Sequence, residues 1–172
     1  MSQPSPISTR RARPGDADAI VAIYNQGIDD RVATFETRHR TREEIRSQIE
    51  SLAGEAAMIV AVDQDRVVGW ASFGPYRPRE CYRGVGDYSL YVDRSARGRG
   101  VGRRLMEALI DGAEQSGCWK LVGRIFTSNE SSLRLADRAG FRRVGIYERH
   151  AQLDGQWLDV AIVERLIPEN QP

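Results

Sequence analysis

The sequence predicts an α+β fold of the three-layer α/β type, in which helices pack on a mixed sheet. Its hydrophobic period switches between helical and alternating segments in the order α-α-β-β-β-α-β-α-β-β, which is typical of this class. The 172 residues are about the size of one domain, and neither a repeat nor a linker-like composition divides them. We therefore expect a single domain over residues 1–172, with 1–7 as a loose tail.

Two amphipathic helices are predicted near the N-terminus. The first has Asp16 or Asp18 near its N-cap, and its apolar face consists of Ile20, Ile23, Tyr24 and Ile28. An extended connector follows at 31–39. The second helix opens with Thr41 and Glu44 at capping-box spacing, and its apolar residues repeat at Ile45, Ile49 and Leu52.

Strand patterns dominate the middle of the chain. Residues 56–74 predict two strands joined by a tight polar turn at Asp63–Asp65, which makes a hairpin. A loop with prolines and glycines covers 75–86. A strand rich in aromatic and branched residues follows at 87–92.

The C-terminal half contains two further helices and three further strands. One helix runs from Val101 to near Gly117, and a shorter one lies within 129–141 and is stopped by Gly140. The strands are predicted at 120–126, 141–147 and 156–166.

Charge and cysteine content argue against several classes of protein. The 25 basic and 24 acidic residues nearly cancel, whereas nucleic-acid and anionic-membrane binders usually have a basic excess. Cys81 and Cys118 have no His or Cys at ligand spacing, which argues against a metal site or a disulfide framework. The N-terminus lacks a secretory pattern, and the longest apolar stretch, 56–62, is too short to span a bilayer. We expect a cytoplasmic protein without metal, nucleic acid or membrane partners.

A basic, glycine-rich loop connects the strand at 87–92 to the next helix. Residues 94–106 contain five arginines and three glycines. A loop that enters a helix presents backbone N–H groups and the positive end of the helix dipole, which suits a phosphate group. Glycines with positive φ allow close approach, and arginines add charge-assisted bonds. The alternative is a solvated turn that only starts the helix.

The motif in this loop resembles one family of phosphate-binding loops. There is no P-loop signature, and Arg103 replaces the third glycine of a dinucleotide fingerprint. The pattern [R/Q]-x-x-G-x-[G/A] at Arg97, Gly100 and Gly102 resembles the pyrophosphate loop of the GNAT superfamily of N-acetyltransferases, and "TSNESSLRLADRAGF" resembles its second motif. The resemblance implies a mostly antiparallel central sheet flanked by helices. It also implies acetyl-CoA as cosubstrate, in contact with Leu90, Tyr91, Val92, Arg97, Gly98, Arg99, Gly100, Val101, Gly102, Asn129 and Ser132.

Four further segments resemble one branch of that superfamily. "ATFET", "VGWASFGPYRPRECYR", "DYSLYV" and "GQWLDV" look like the phosphinothricin, methionine sulfoximine/sulfone and L-amino-acid acetyltransferases. The branch implies a homodimer that acetylates the α-amine of a small amino acid or analogue. Arg77 and Arg79 are expected to bind the acceptor's acidic groups, within a pocket walled by Phe35, Tyr76 and Tyr82. Leu153 and Asp154 replace the Lys or His common in relatives that prefer phosphinothricin, which argues against that particular acceptor.

The resemblance also implies the catalytic groups. Asp87 stands where the branch has a Glu, so we expect it to be the general base that takes the amine proton, directly or through water. Backbone N–H groups of Leu90–Val92 are expected to polarise the thioester carbonyl. Many relatives place a Tyr or His where this chain has Ala136. The CoA thiolate therefore either leaves with the help of water or takes a proton from a group such as Tyr88 or Ser128.

Two other functions stay open from sequence. One is a GNAT enzyme that acetylates protein or peptide amines, although the arginine-rich acceptor loop favours a small anionic substrate. The other is a non-catalytic domain that senses CoA or binds RNA. Near-zero net charge and the carboxylate of Asp87 argue against a non-catalytic domain. Ala136, in place of the usual Tyr or His, leaves that alternative open.

Overall fold

A single seven-stranded sheet organises the computed structural model, which describes residues 7–52 and 58–171. Within these residues the strand order is β1-β2-β3-β4-β5-β7-β6. The strands are β1 (Ser8–Arg11), β2 (Met58–Asp63), β3 (Arg66–Pro75), β4 (Val85–Val92), β5 (Lys120–Phe126), β6 (Arg142–Leu153) and β7 (Gln156–Leu166). The α-helices are α1 (Ala17–Asp30), α2 (Arg42–Ser51), α3 (Val101–Gln115) and α4 (Glu130–Arg138). The predicted α+β class is confirmed.

Two strand predictions need correction. Ser8–Arg11 form an edge strand paired antiparallel with β2, which the sequence prediction missed because the segment STRR has no apolar alternation. Strand β6 extends to Leu153 rather than ending at 147, since it forms a long hairpin with β7. Most of the predicted loose tail lies outside the described residues, and Ile7 packs against the main core.

Local signals place the helices and turns largely as predicted. The capping box of α2 is formed, with the Glu44 backbone N–H donating to Thr41 Oγ1 at 3.2 Å. Asp16 is the N-cap residue of α1, and its carboxylate also binds Arg10 on β1 at 2.7 Å. The predicted hairpin turn is confirmed, since Gln64 and Asp65 both have positive φ, as tight two-residue hairpin turns require.

Helices cover both faces of the sheet and give the molecule two main cores. Helix α3 places apolar residues at intervals of four on one face, so that Leu105 and Leu109 are fully buried against the sheet. On the opposite face, Ile20 of α1 and Ile45 of α2 pack in a second cluster with Trp70 of β3. The sheet is therefore the middle layer, and its two faces carry different groups of a functional site.

The sheet opens between β4 and β5. Their parallel pairing covers only three registers, from Val85 with Lys120 to Asp87 with Val122. Beyond this point β4 stays paired with β3 and β5 with β7, so the two strands separate. The resulting cleft exposes backbone and side chains of β4 at the centre of the sheet.

Candidate active site

A groove leads from the start of α3 to the split between β4 and β5. Ten of the eleven residues that the sequence predicts to contact the cofactor line it, namely Leu90, Tyr91, Val92, Arg97, Gly98, Gly100, Val101, Gly102, Asn129 and Ser132. Arg99 is the exception, because its guanidinium binds Asp63 at 2.7 Å instead. The structure thus brings together on one surface residues that lie far apart in the sequence.

The glycine-rich loop has the geometry of an anion cradle. Gly98 and Gly100 have φ of 75° and 82°, a region that residues with a Cβ rarely adopt. Gly100 is the N-cap residue of α3 and has no side chain to cap the first N–H groups, which therefore stay available to an anion. A Cβ on Gly102 would lie 3.2 Å from Leu135 Cδ2, so this glycine also allows α3 to approach α4. The loop therefore fits a diphosphate through its backbone.

Arginines in the loop are already paired with carboxylates. Arg94 and Arg97 both bind Asp30, at 2.7 Å each. These hydrogen bonds, from Arg94 first, hold the pKa of Asp30 below its usual value. Because Asp30 also lines the groove, an incoming phosphate competes with it for Arg97. The backbone N–H groups at the start of α3 have no side-chain cap, so they are more accessible to an anion than the guanidinium of Arg97.

Asn129 joins two sides of the groove. Its Oδ1 accepts from the Ser132 backbone N–H at 3.2 Å, which caps α4. Its Nδ2 donates to the carbonyl of Val32 in the connector after α1 at 3.1 Å. One side chain thus positions the start of α4 and the connector around the split.

Side chains of β4 alternate between the two faces of the sheet at the cleft. Tyr91 faces α1, where its ring stacks on Trp70 with centroids 5.0 Å apart. Asp87 and Ser89 share this face by strand alternation, whereas Tyr88 and Leu90 face α3 and α4. The proposed base therefore lies on the face opposite the glycine-rich loop.

The carboxylate of Asp87 is half-buried at the point where β4 and β5 separate. Burial raises the pKa of Asp87, an effect that the charge of Arg124 on β5 and its hydrogen bond oppose. The guanidinium of Arg124 contacts Asp87 Oδ2 directly. A carboxylate with a raised pKa is suited to accept a proton from an amine. Asp87 itself does not line the cleft, whereas its partner Arg124 does.

Tyr88 occupies the other side of the cleft. Its ring packs against Phe141 with centroids 5.2 Å apart, and burial raises the pKa of its phenol. It therefore stays protonated, and able to donate, at neutral pH. Ala136 is fully buried in the core, whereas Ser128 is exposed and lies outside the lining of the cleft. Of the two groups left open by the sequence, Tyr88 lines the cleft and Ser128 does not.

The predicted acceptor residues are only partly brought to the cleft. The Phe35 ring meets Phe126, which lines the cleft, edge-on at 4.7 Å. The other four pack locally in the loop between β3 and β4 and do not line the cleft, namely Tyr76, Arg77, Arg79 and Tyr82. The sequence predictions missed Arg124, although a charge flanked by apolar residues in the interior of strand KLVGRIF was a signal for it.

Comparisons with known proteins agree with this geometry. The profile of the Acetyltransferase (GNAT) family matches residues 22–141. The L-methionine sulfoximine/L-methionine sulfone acetyltransferase of Pseudomonas aeruginosa is 32% identical over 91% of this chain and 92% of its own. The phosphinothricin N-acetyltransferase of Streptomyces coelicolor is 33% identical over 90% and 95%. A phosphinothricin acetyltransferase of Sinorhizobium meliloti, solved in complex with acetyl-CoA, superposes with a TM-score of 0.89 at 28% identity, covering 94% of this chain and 88% of that one.

The chain belongs to the GNAT family of acetyltransferases. It is an acyltransferase that uses acetyl-CoA as cosubstrate, and the cradle at Gly98 and Gly100 together with the split beside Leu90 fits that molecule. Within 7–52 and 58–171, no three His, Cys, Asp or Glu side chains are grouped to hold a metal ion. None of the helices described is both long and apolar enough to cross a membrane.

Proposed function

We propose that the protein transfers the acetyl group of acetyl-CoA to the α-amine of a small amino acid or analogue of the methionine sulfoximine, methionine sulfone or phosphinothricin type. The observation that carries this proposal is the position of Asp87, a half-buried carboxylate where β4 and β5 separate, in contact with Arg124, which lines the cleft. Named relatives with about 30% identity over most of the chain support the class of acceptor.

The proposed mechanism assigns one task to each side of the cleft. Acetyl-CoA supplies an acetyl group already activated as a thioester. Asp87 accepts the proton of the acceptor ammonium, which leaves a neutral amine as nucleophile. Backbone N–H groups of Leu90–Val92 stabilise the charge that develops on the thioester oxygen. Tyr88, on the opposite face, donates the proton that the departing thiolate needs, and the second proton that the nitrogen loses as the amide forms replaces it.

The acceptor is bound, in this proposal, by arginines and an aromatic wall. Arg77 and Arg79 bind a distal acidic or oxidised group of the acceptor, and Phe35, Tyr76 and Tyr82 enclose its carbon chain. The two arginines are exposed in the structure, which suits a loop that closes onto a substrate. Leu153 and Asp154, in place of a Lys or His, favour methionine sulfoximine or sulfone over phosphinothricin.

A homodimer in the cytoplasm completes the proposal. Edge strand β6 exposes Val144, Ile146 and Tyr147, each about half accessible, and Trp157 of β7 is equally exposed. Large apolar side chains grouped on a sheet edge are typical of a contact surface. Analytical ultracentrifugation is expected to give twice the chain mass, and Ile146→Arg is expected to give the monomer.

A thiol-release assay tests the proposed function. The protein is mixed with acetyl-CoA and, separately, with methionine sulfoximine, methionine sulfone, phosphinothricin, a polyamine, an aminoglycoside and a lysine-containing peptide. We expect release with the amino-acid analogues, more with methionine sulfoximine or sulfone than with phosphinothricin, and none with the others. Release with the peptide alone would favour a protein acetyltransferase. Thermal stabilisation by CoA without release from any acceptor would indicate a CoA-sensing domain.

A further inference from the structure

Arg124 is an unusual residue for its position. It lies in the middle of β5, between Gly123 and Ile125, and its strand neighbours on the same face are Val122 and Phe126, both buried. A charge at a site flanked by buried apolar side chains is costly unless it is paired or reaches solvent. The side chain of Arg124 does both, since it is 56% exposed and contacts Asp87.

The sheet register explains how Arg124 reaches Asp87. Asp87 is the last residue of β4 that pairs with β5, opposite Val122. Arg124 is two positions further along β5, on the same face, so its guanidinium crosses the mouth of the split diagonally. The contact with Asp87 uses one nitrogen, Nη2. A guanidinium has five N–H donors and therefore keeps donors for a second carboxylate.

The ion pair is not needed to hold β5 in place. Strand β5 pairs with β7 over seven consecutive registers, from Lys120 with Leu166 to Phe126 with Val160. Its parallel pairing with β4 ends before Arg124 is reached. A positive and a negative side chain thus meet at the open end of the split, and the arginine lines the cleft there.

We propose that Arg124 binds the α-carboxylate of the acceptor while Asp87 receives the proton of its α-ammonium. This inference rests on the proposed function. Both groups of an α-amino acid are attached to one carbon, so their partners must be immediate neighbours of opposite charge. Asp87 and Arg124 meet that requirement on the face of β4 opposite the glycine-rich loop. Arg77 and Arg79 are then left for the distal group of the acceptor.

The inference makes Arg124 a determinant of specificity for α-amino acids over simple amines. When the substrate carboxylate binds the guanidinium of Arg124, the Asp87 oxygen that was bonded to Arg124 becomes free to bind the substrate ammonium. An amine without a carboxylate does not compete for Arg124, so the ion pair between Asp87 and Arg124 stays intact. The enzyme is therefore expected to discriminate against the carboxamide of a good acceptor, although the amide preserves size and shape.

The test compares methionine sulfoximine with its α-carboxamide in wild type and Arg124→Gln. We expect Arg124→Gln to raise the acceptor KM for the carboxylate about tenfold or more, the usual effect of losing a charge-assisted bond. The KM for the carboxamide is expected to stay the same or to fall, because the variant also releases Asp87 from the ion pair. Any effect of the substitution on the basicity of Asp87 is common to both acceptors, so it cancels in the ratio of their KM values. Arg124→Lys is expected to restore part of the preference. Arg134→Gln, an exposed arginine paired with Glu130 on α4, is the matched control.

Two results would overturn the inference. One is an equal loss for both acceptors in Arg124→Gln, which indicates a structural ion pair. The other is a wild-type enzyme that acetylates the carboxamide as well as the carboxylate. Absence of thiol release from any amine by the wild type would instead contradict the proposed function, so the two failures are distinguishable.

Discussion

The ring of Tyr88 lies directly over the backbone of Gly123, across the split between β4 and β5. A Cβ placed on Gly123 would lie only 2.8 Å from Cζ and 2.9 Å from the hydroxyl oxygen of Tyr88. The ring is also packed against Phe141, so it has little room to withdraw. Gly123 therefore makes the space in which the proposed acid of the reaction sits.

Substitution of Gly123 by alanine is expected to damage both stability and catalysis. The added methyl group must displace the Tyr88 ring or spread the strands, which costs about 1–3 kcal/mol in overpacked cores. Chemical denaturation and steady-state kinetics check this. Gly74→Ala is the matched control, because Gly74 lies on β3 with open space around its Cβ position. Equal stabilities of the two variants would contradict the packing described.

Tyr88→Phe is expected to lower kcat without changing the KM of acetyl-CoA. Removal of the hydroxyl takes away the proposed proton donor, and loss of a general acid typically costs about a hundredfold or more. The ring and its packing on Phe141 are kept, so stability is expected to stay near the wild-type value. Ser128→Ala is the control. An unchanged kcat in Tyr88→Phe would mean that water protonates the thiolate.

Variants of Asn129 can separate its two roles, which are the cap of α4 and the contact with the connector after α1. Asn129→Asp keeps an oxygen to accept from the Ser132 N–H but loses the donor to the Val32 carbonyl. We expect it to retain the melting temperature while raising the KM of acetyl-CoA. Asn129→Ala loses both contacts. Loss of the cap is expected to lower the free energy of unfolding by about 1 kcal/mol. Wild-type affinity for acetyl-CoA in Asn129→Asp would show that the bridge to the connector is dispensable.

The pH profile reports on Asp87. The base works when deprotonated, so activity is present above the pKa of Asp87 and is lost as the pH falls through it. Because burial raises this pKa, the acid limb of kcat/KM is expected above the ordinary aspartate pKa of about 4. Arg124 lowers the same pKa, so Arg124→Gln is expected to move the limb to higher pH. A limb that moves to lower pH would contradict the assignment.

Features set by nearby residues were predictable from the sequence. The glycines at 98 and 100 marked the positive-φ turn before α3, and Thr41 with Glu44 marked the start of α2. Both depend on contacts within a few residues. The same reasoning placed Asp87 in the critical strand, which begins two residues earlier than predicted, at Val85, although the resemblance to a family was needed to suggest its role.

Pairings between distant residues could not be predicted in this way. Arg124 and Asp87 are 37 positions apart, and Arg97 and Asp30 are 67 apart. Each pair meets only because of the strand order and register, which local propensity does not determine. Edge strand β1 was missed because STRR has no apolar alternation, and its pairing with β2, which begins at Met58, is likewise a contact between distant residues.

The most direct test of the account is the kcat of Asp87→Asn with methionine sulfoximine, measured together with its affinity for acetyl-CoA. The substitution keeps the shape of the side chain and removes its basicity. We predict a kcat lower by about a hundredfold or more, since a general base typically contributes at least that much. Calorimetric affinity for acetyl-CoA is predicted to be unchanged. A wild-type kcat in Asp87→Asn would contradict the account.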